Sequence, residues 1–366
     1  MSKDAIEAIF SAIKEYSQRG PDDEFYREFK AKSNECRKKL ADLINSGNPE
    51  CIVFTESATQ SINLVANGFK FSRGDSVVIR GGPSEHPSNY IPWIYYARAK
   101  GVNIYSLKTD DIGLPDLSEL DSVLKEARSR LVVVSHVLYN YGTILPAREI
   151  GKVAHERGAL FFLDISQSVG NIDVDIGSID CDFAAGTAAK WLCGPLGLGF
   201  LYCKEESLNL LEPLNFGPNS CSYDFSGSYS ELGLPPAARL QEGFRNWAYL
   251  YGLSAAIDVL QHFGLASVRR KNLLFSKLIA EQILDGTKEF SLISSSDDKL
   301  RTSIIAFDTA RYKPTDIVQA LSKTGITVAE REIGKRKFLR ISPHFYNDEK
   351  EVSHLVNQLT QVVRSV

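Results

Sequence analysis

Apolar residues in the first two thirds of the chain fall into short runs separated by amphipathic stretches. Runs at 51–55, 76–80, 103–107, 131–135, 159–164, 183–185 and 199–203 have the length and composition of strands. Helical patterns lie between most of them, as at 57–67, 117–127 and 146–157. Alternation of this kind predicts an α/β protein with a mostly parallel sheet and helices on both faces. Ligands of such sheets bind at the carboxyl ends of the strands. From about 205 to 240 the pattern loosens into Gly, Ser, Pro and Asn, notably Gly217-Pro218-Asn219-Ser220 and Ser226-Gly227-Ser228-Tyr229. This stretch reads as an irregular active-site or interface loop. Helices are then predicted at 247–263 and 265–284, with short strands at 292–294, 302–308 and 338–341, an α+β pattern separate from the first.

A chain of 366 residues suits one large and one smaller domain. We place the large domain at 17–245 and the small one at 246–366. Net charge is −3 with both signs interspersed, so no basic face is implied and nucleic acid is not an expected partner. The six cysteines show no Cys-x-x-Cys spacing and several sit in apolar runs; they read as small buried hydrophobes in a reducing compartment, and no metal site is assigned. Ile6, Ile9, Phe10 and Ile13 form one helical face among Asp4, Glu7 and Glu15, which argues against a signal or transit peptide. No stretch approaches the roughly 20 apolar residues of a membrane span. A cytoplasmic protein is expected.

The candidate chemistry centres on Lys190. The apolar run Leu160-Phe161-Phe162-Leu163 ends in Asp164, with Gln167 one turn further on. The next element, 181–190, delivers Lys190 between small residues and Trp191. A partly desolvated lysine has a lowered pKa and suits imine chemistry, while an acid one strand away can keep a pyridine nitrogen protonated. Ser57-x-x-Gln60 is a capping box opening a helix, and a helix N-terminus is a phosphate site.

Asp164-x-x-Gln167 followed by Thr187-x-x-Lys190-Trp191-x-x-Gly194-Pro195-x-Gly197 resembles the class V aminotransferase family of pyridoxal-phosphate enzymes. That family includes cysteine desulfurases, cysteine and cystine C–S lyases, and isopenicillin N epimerase-like proteins. Glu85-His86-x-Ser88-Asn89-x-x-Pro92-Trp93 resembles a signature of its desulfurase and epimerase branch. The resemblance spans about residues 5 to 360 and implies a fold-type-I homodimer with its sites at the subunit interface. It further implies that helix 1–16 packs on the C-terminal domain. Lys190 would bind pyridoxal phosphate covalently and later move the Cα proton. Asp164 would protonate the ring nitrogen, His86 would stack on the ring and relay protons, and Gln167 would bond the phenolic oxygen. Ala58, Thr59 and Thr187 would hold the phosphate. Arg340, within Phe338-Leu339-Arg340-Ile341-Ser342-Pro343, would grip the substrate carboxylate, with Arg331 a second candidate. His136 reads as a buried, hydrogen-bonded support.

Departures from the family pattern matter for function. The stretch Ile326-Thr327-Val328-Ala329-Glu330-Arg331-Glu332 lacks the mobile-loop cysteine of desulfurases. Tyr139 stands where those enzymes have a substrate-binding Asn, and Ala189 replaces a side chain that donates to phosphate, a bond worth roughly 1.5–3 kcal/mol. In Gly243-Phe244-Arg245-Asn246, where a neighbouring subunit's phosphate contact would fall, Phe244 replaces a threonine and Arg245 would compensate. The family's strand ahead of the first helix does not appear; either another segment replaces it or further residues precede it. The leading expectation is an aminotransferase or epimerase-like enzyme acting at Cα or Cβ of a small amino acid. A cysteine or cystine C–S lyase or desulfurase-like enzyme is the alternative, and a degenerate binding or regulatory protein is an alternative of another class. Gly194-Pro195-Leu196-Gly197-Leu198-Gly199 as a nucleotide loop ranks third, since it lacks the P-loop lysine.

Overall fold

The computed structural model describes residues 1–217, 220–223, 229–230, 237–243 and 246–365. All seven expected apolar runs form strands of one sheet: β1 (Ile52–Thr55), β2 (Ser76–Arg80), β3 (Asn103–Leu107), β4 (Ser129–Ser135), β5 (Leu160–Asp164), β6 (Phe183–Thr187) and β7 (Gly199–Cys203), in the order β1-β7-β6-β5-β4-β2-β3. The pairs β3·β2, β2·β4, β4·β5 and β5·β6 are parallel, and only β7 is reversed, against both β6 and β1. A parallel return needs a crossover, usually a helix. The connection from β6 to β7 contains only a 3₁₀ turn at Lys190–Leu192, so β7 folds straight back.

Around the sheet lie α1 (Lys3–Arg19), α2 (Asp23–Leu43), α3 (Ala58–Gly68), α4 (Ile91–Lys100), α5 (Leu117–Glu126), α6 (Ala147–Glu156) and the single turn α7 (Ile176–Ile179). Alternate residues of a strand face opposite sides, and the central strands accordingly feed two cores. Val132, Val134, Phe161 and Leu163 pack with Leu120 and Ile150 on one side. Leu131, Val133 and Phe162 pack with Val65, Val77 and Trp93 on the other. The pattern had not indicated α2 or α4. The buried face of α2, Phe29, Ser33, Cys36 and Leu40, is diluted by a serine, and its remaining surface is densely charged. Helix α4 carries Pro92 in its first turn and lacks a clean apolar stripe.

In the loop region expected at 205–240, a 3₁₀ turn at Glu205–Leu210, a hairpin of β8 (Ser222–Tyr223) and β9 (Tyr229–Ser230), and a turn at Ala238–Leu240 are described. Beyond it come α8 (Trp247–Phe263), α9 (Leu265–Gly286), β10 (Ser291–Leu292), β11 (Ile305–Asp308), α10 (Pro314–Ser322), β12 (Ala329–Ile333), β13 (Arg336–Ile341) and α11 (Glu349–Ser365). The four strands form a second, antiparallel sheet in the order β10-β11-β13-β12. Phe275, Ile279, Phe307, Leu339, Leu355 and Leu359 build its core with α9 and α11. The pattern had shown no strand at β12, because Ala329-Glu330-Arg331-Glu332 is polar and sits at a sheet edge. Helix α8 contributes Leu250, Leu253, Ile257 and Leu260 to the core beside the large sheet. It also carries α1, whose Ile9 and Ala12 meet Ala248. A Cβ on Gly252 would lie 2.6 Å from Ile9 Cδ1 and 3.2 Å from Ala5 O, so a larger residue there would have to displace the Ile9 side chain and crowd the α1 backbone. Among the described residues no helix is long and apolar enough to cross a membrane, and no group of His, Cys, Asp or Glu is arranged to hold a metal ion.

Candidate active site

A cleft opens at the carboxyl ends of β4, β5 and β6, beside the start of α3. The expected residues Ala58, Thr59, His86 and Tyr139 line one part of it, and Asp164, Gln167, Thr187 and Lys190 line the rest. Asp164 is the last residue of β5 and is buried. Its Oδ1 accepts the Ser166 N–H at 2.9 Å, and its other oxygen has no hydrogen-bond partner among the described residues.

Lys190 follows β6 on a turn held by Ala188 N–H to Leu198 O and Gly194 N–H to Ala188 O, each 2.9 Å. Its φ of 56° is left-handed, a conformation that costs a non-glycine residue roughly 1–2 kcal/mol. Such strain concentrates at functional sites, where the surroundings hold it in place. The side chain is open to the cleft yet recessed among protein atoms. Burial is therefore the largest influence on the amine and lowers its pKa; the charge of Asp164 opposes this, and Arg340 and Arg331 add to it.

His86 accepts the Ser88 N–H on Nδ1 at 3.1 Å, so a neutral ring carries its proton on Nε2. Its ring meets Tyr139 edge-on, with centroids 4.7 Å apart. Burial lowers the His86 pKa, against the pull of Asp164. The backbone turn that presents His86 is fixed by Glu85, which sequence reasoning had not singled out. Glu85 accepts the His86 N–H at 2.8 Å and the Ser135 hydroxyl at 2.6 Å, and pairs with Arg80 at 3.2 Å with both side chains fully buried. Its sequence signal was its place at the head of the Glu85-His86-x-Ser88-Asn89 motif, to which no role had been given. Removing one member of a buried pair strands the other charge, which typically costs about 3–5 kcal/mol. We expect Glu85→Ala to lose stability on that scale in urea unfolding; a loss below about 1 kcal/mol would show that the pair does not hold the turn.

At the start of α3 the Ser57 hydroxyl oxygen accepts the Gln60 N–H at 3.1 Å, as expected of the capping box. The reciprocal bond differs: Gln60 Oε1 takes the N–H of Glu56 at 2.7 Å instead of that of Ser57. The first-turn N–H groups of Ala58 and Thr59 have no intrahelical acceptor, and both residues line the cleft. The Thr59 hydroxyl donates to Ser88 Oγ at 2.9 Å, while that of Thr187 reaches Leu198 O at a long 3.5 Å. Gly199 lets β7 approach this helix start, since a Cβ there would lie 2.4 Å from the Ser57 carbonyl carbon. The Gly194–Gly199 segment runs directly into β7 and opens no helix, which removes the nucleotide-loop reading.

Arg340 is not part of the inner wall. It stands on β13 and donates from Nη1 to Tyr139 O at 2.8 Å. Arg331 on β12 pairs in register with Phe338, so the two arginines are diagonal neighbours on one face of the sheet. Its guanidinium lies 5.9 Å from the centroid of the Tyr139 ring. The Nε atoms of both arginines are buried without a partner, and burial together with the charge of Arg331 pushes Arg340 down to about 10. Two unsatisfied guanidinium donors beside one cleft suit an anion. His136 is buried as expected, but its ring Nδ1 has no partner; it supports the site through its backbone, with His136 N–H donating to Asp164 O at 2.9 Å. None of the six cysteines lines the cleft. Cys193 lies behind the Lys190 turn, with Sγ 3.6 Å from His344 Nε2, and burial raises its pKa. Phe244 and Arg245 lie outside the described residues.

This donor set fits pyridoxal phosphate: free helix-start amides for the phosphate, a buried carboxylate with an open oxygen for the ring nitrogen, and a lysine of lowered pKa for the carbonyl. The family described as Aminotransferase class-V matches residues 4–355. A probable cysteine desulfurase of Methanothermobacter thermautotrophicus is 32% identical, over 90% of this chain and 84% of its own length. The apo structure of a cysteine desulfurase from Thermococcus onnurineus NA1 superposes with a TM-score of 0.90 at 29% identity, covering 100% of this chain and 92% of that one. A cystine C–S lyase in complex with its reaction product cysteine persulfide shares the fold, with a TM-score of 0.87 at 23% identity over 98% of this chain and 94% of that one. The chain belongs to the class V aminotransferase family, a family of enzymes that depend on pyridoxal phosphate.

Proposed function

We propose that the protein is a C–S lyase that cleaves cysteine or cystine by β-elimination, working as a homodimer with pyridoxal phosphate. The observation that carries this reading is a cleft free of thiols in a chain whose relatives are named cysteine desulfurases. The comparisons favour carbon–sulfur chemistry over the aminotransferase or epimerase reading that the sequence had put first. Without a cysteine on 326–332 or in the cleft, no thiolate stands ready to take sulfur from the substrate.

When bound, pyridoxal phosphate supplies an electron-withdrawing ring that makes the Cα–H of an attached amino acid acidic. Ala58 and Thr59 would hold the phosphate through their amides, Gln167 would donate to the phenolic oxygen, and Asp164 would keep the ring nitrogen protonated. Arg340 would bind the α-carboxylate. Arg331 beside it suits a second carboxylate, such as that on the far half of cystine. Lys190 would take the Cα proton. The Cβ–S bond breaks with its electrons going to sulfur, to which Nε2 of His86 would deliver a proton. With one water, cysteine gives pyruvate, ammonia and sulfide; cystine gives pyruvate, ammonia and cysteine persulfide.

The carbon product decides between the readings. Incubated with cysteine or cystine, the protein is expected to release pyruvate and ammonia in equal amounts with no protein-bound persulfide. Alanine together with a persulfide-labelled enzyme cysteine would overturn the proposal. Inversion at Cα without release of sulfur would restore the epimerase reading.

A further inference from the structure

Gln167 is expected to meet the cofactor's phenolic oxygen, yet a glutamine amide can present either its carbonyl or its NH₂ to a cleft. In this protein one residue fixes the choice. Trp191 donates its indole N–H to Gln167 Oε1 at 2.8 Å. An indole can only donate, so this bond holds the amide oxygen away from the cleft and leaves the NH₂ as the end that faces it. Trp191 is itself clamped. It is buried, and its ring stacks on His344 with centroids 4.9 Å apart and planes 17° apart. His344 in turn stacks on Tyr346 at 4.2 Å and 17°. On the other side, Gly170 at φ 82° lets the turn after Asp164 press on the tryptophan backbone, since a Cβ there would lie 2.6 Å from Trp191 O.

We propose that Trp191 is a positioning residue for the cofactor, locking the Gln167 amide so that it donates to the phenolic oxygen and anchoring that lock on the segment that follows β13. The inference rests on pyridoxal phosphate occupying the cleft and is independent of the reaction carried out there. A donor to the phenolic oxygen favours its anionic state, so its loss raises the pH at which the absorption of the bound cofactor titrates. The charged groups in and beside the cleft, Asp164, His86, Lys190, Arg331 and Arg340, are retained in each variant below, and only Gln167→Glu adds a charge.

The test compares Trp191→Phe, Gln167→Leu and the double variant, reconstituted with pyridoxal phosphate and titrated by absorbance without any amino acid. Trp191→Phe keeps the stacking ring but loses the N–H. It is expected to raise the spectral midpoint by about 0.5–1 pH unit and to weaken cofactor binding roughly three- to thirty-fold, as Gln167→Leu also does. Because Trp191 acts through Gln167, the double variant should match Gln167→Leu alone. An unchanged midpoint in Trp191→Phe, or shifts that add in the double variant, would overturn the proposal. If Trp191→Phe does not fold, Gln167→Glu at its half-buried position carries the test. It keeps an acceptor for Trp191 and turns a charged oxygen towards the cleft, so its midpoint should exceed that of Gln167→Leu; a midpoint at or below that of Gln167→Leu would refute the orientation. None of these readouts depends on the carbon product, so a failed lyase assay and a failed positioning claim remain distinguishable.

Discussion

Lys190→Ala is expected to lower turnover of any amino-acid substrate by at least about 10⁴-fold, since both covalent attachment and movement of the Cα proton are assigned to one amine. The fold should survive. Lys190 projects into the cleft, and alanine at its left-handed position carries the same backbone cost that lysine does. Thermal unfolding of the variant without cofactor should stay close to that of the parent, which separates loss of chemistry from loss of structure. A variant that keeps more than about a tenth of parental activity would remove Lys190 from the mechanism.

Asp164→Asn is expected to cost about 10²–10⁴-fold in turnover while leaving cofactor binding largely intact. The amide preserves shape, and its oxygen can still accept the Ser166 N–H, but it cannot hold a proton on a pyridine nitrogen. The same substitution has a signature in the free protein. The Asp164 charge opposes the lowering of the Lys190 pKa, so its removal should move that pKa further down. The pH profile of Lys190 modification by an amine reagent should shift to lower pH. Turnover equal to that of the parent would show that the ring nitrogen does not need this carboxylate.

The parts of the fold legible in the sequence are those carried by local pattern. Each of the seven runs became a strand: β2, β4, β5 and β6 are buried parallel strands, which read as continuous apolar stretches, whereas β3 is an edge strand left largely exposed. Asp164 stood out as a charge ending such a run, and Lys190 as a cation lodged among small residues. Elements whose burial is mixed were hidden: α2 buries Ser33 and Cys36 beside Phe29 and Leu40, and β12 is polar along its length. The supports of the site were also hidden, since they join distant segments. Glu85, on the turn after β2, bonds Ser135 at the end of β4, and Arg340 reaches Tyr139 across 201 positions of sequence. Gln60 was expected to cap its own helix start, but local geometry brought Glu56 closer. Reaction type was the least legible property. Transamination, epimerisation and elimination all begin at the same Cα–H, and the missing loop cysteine distinguishes only one sulfur route from another.

The central claim is that this cleft holds pyridoxal phosphate on Lys190, and borohydride reduction of the reconstituted protein tests it most directly. Peptide mapping by mass spectrometry should find a single pyridoxyl group, located on Lys190. Absence of any adduct after reconstitution, or an adduct on a different lysine, would contradict the account.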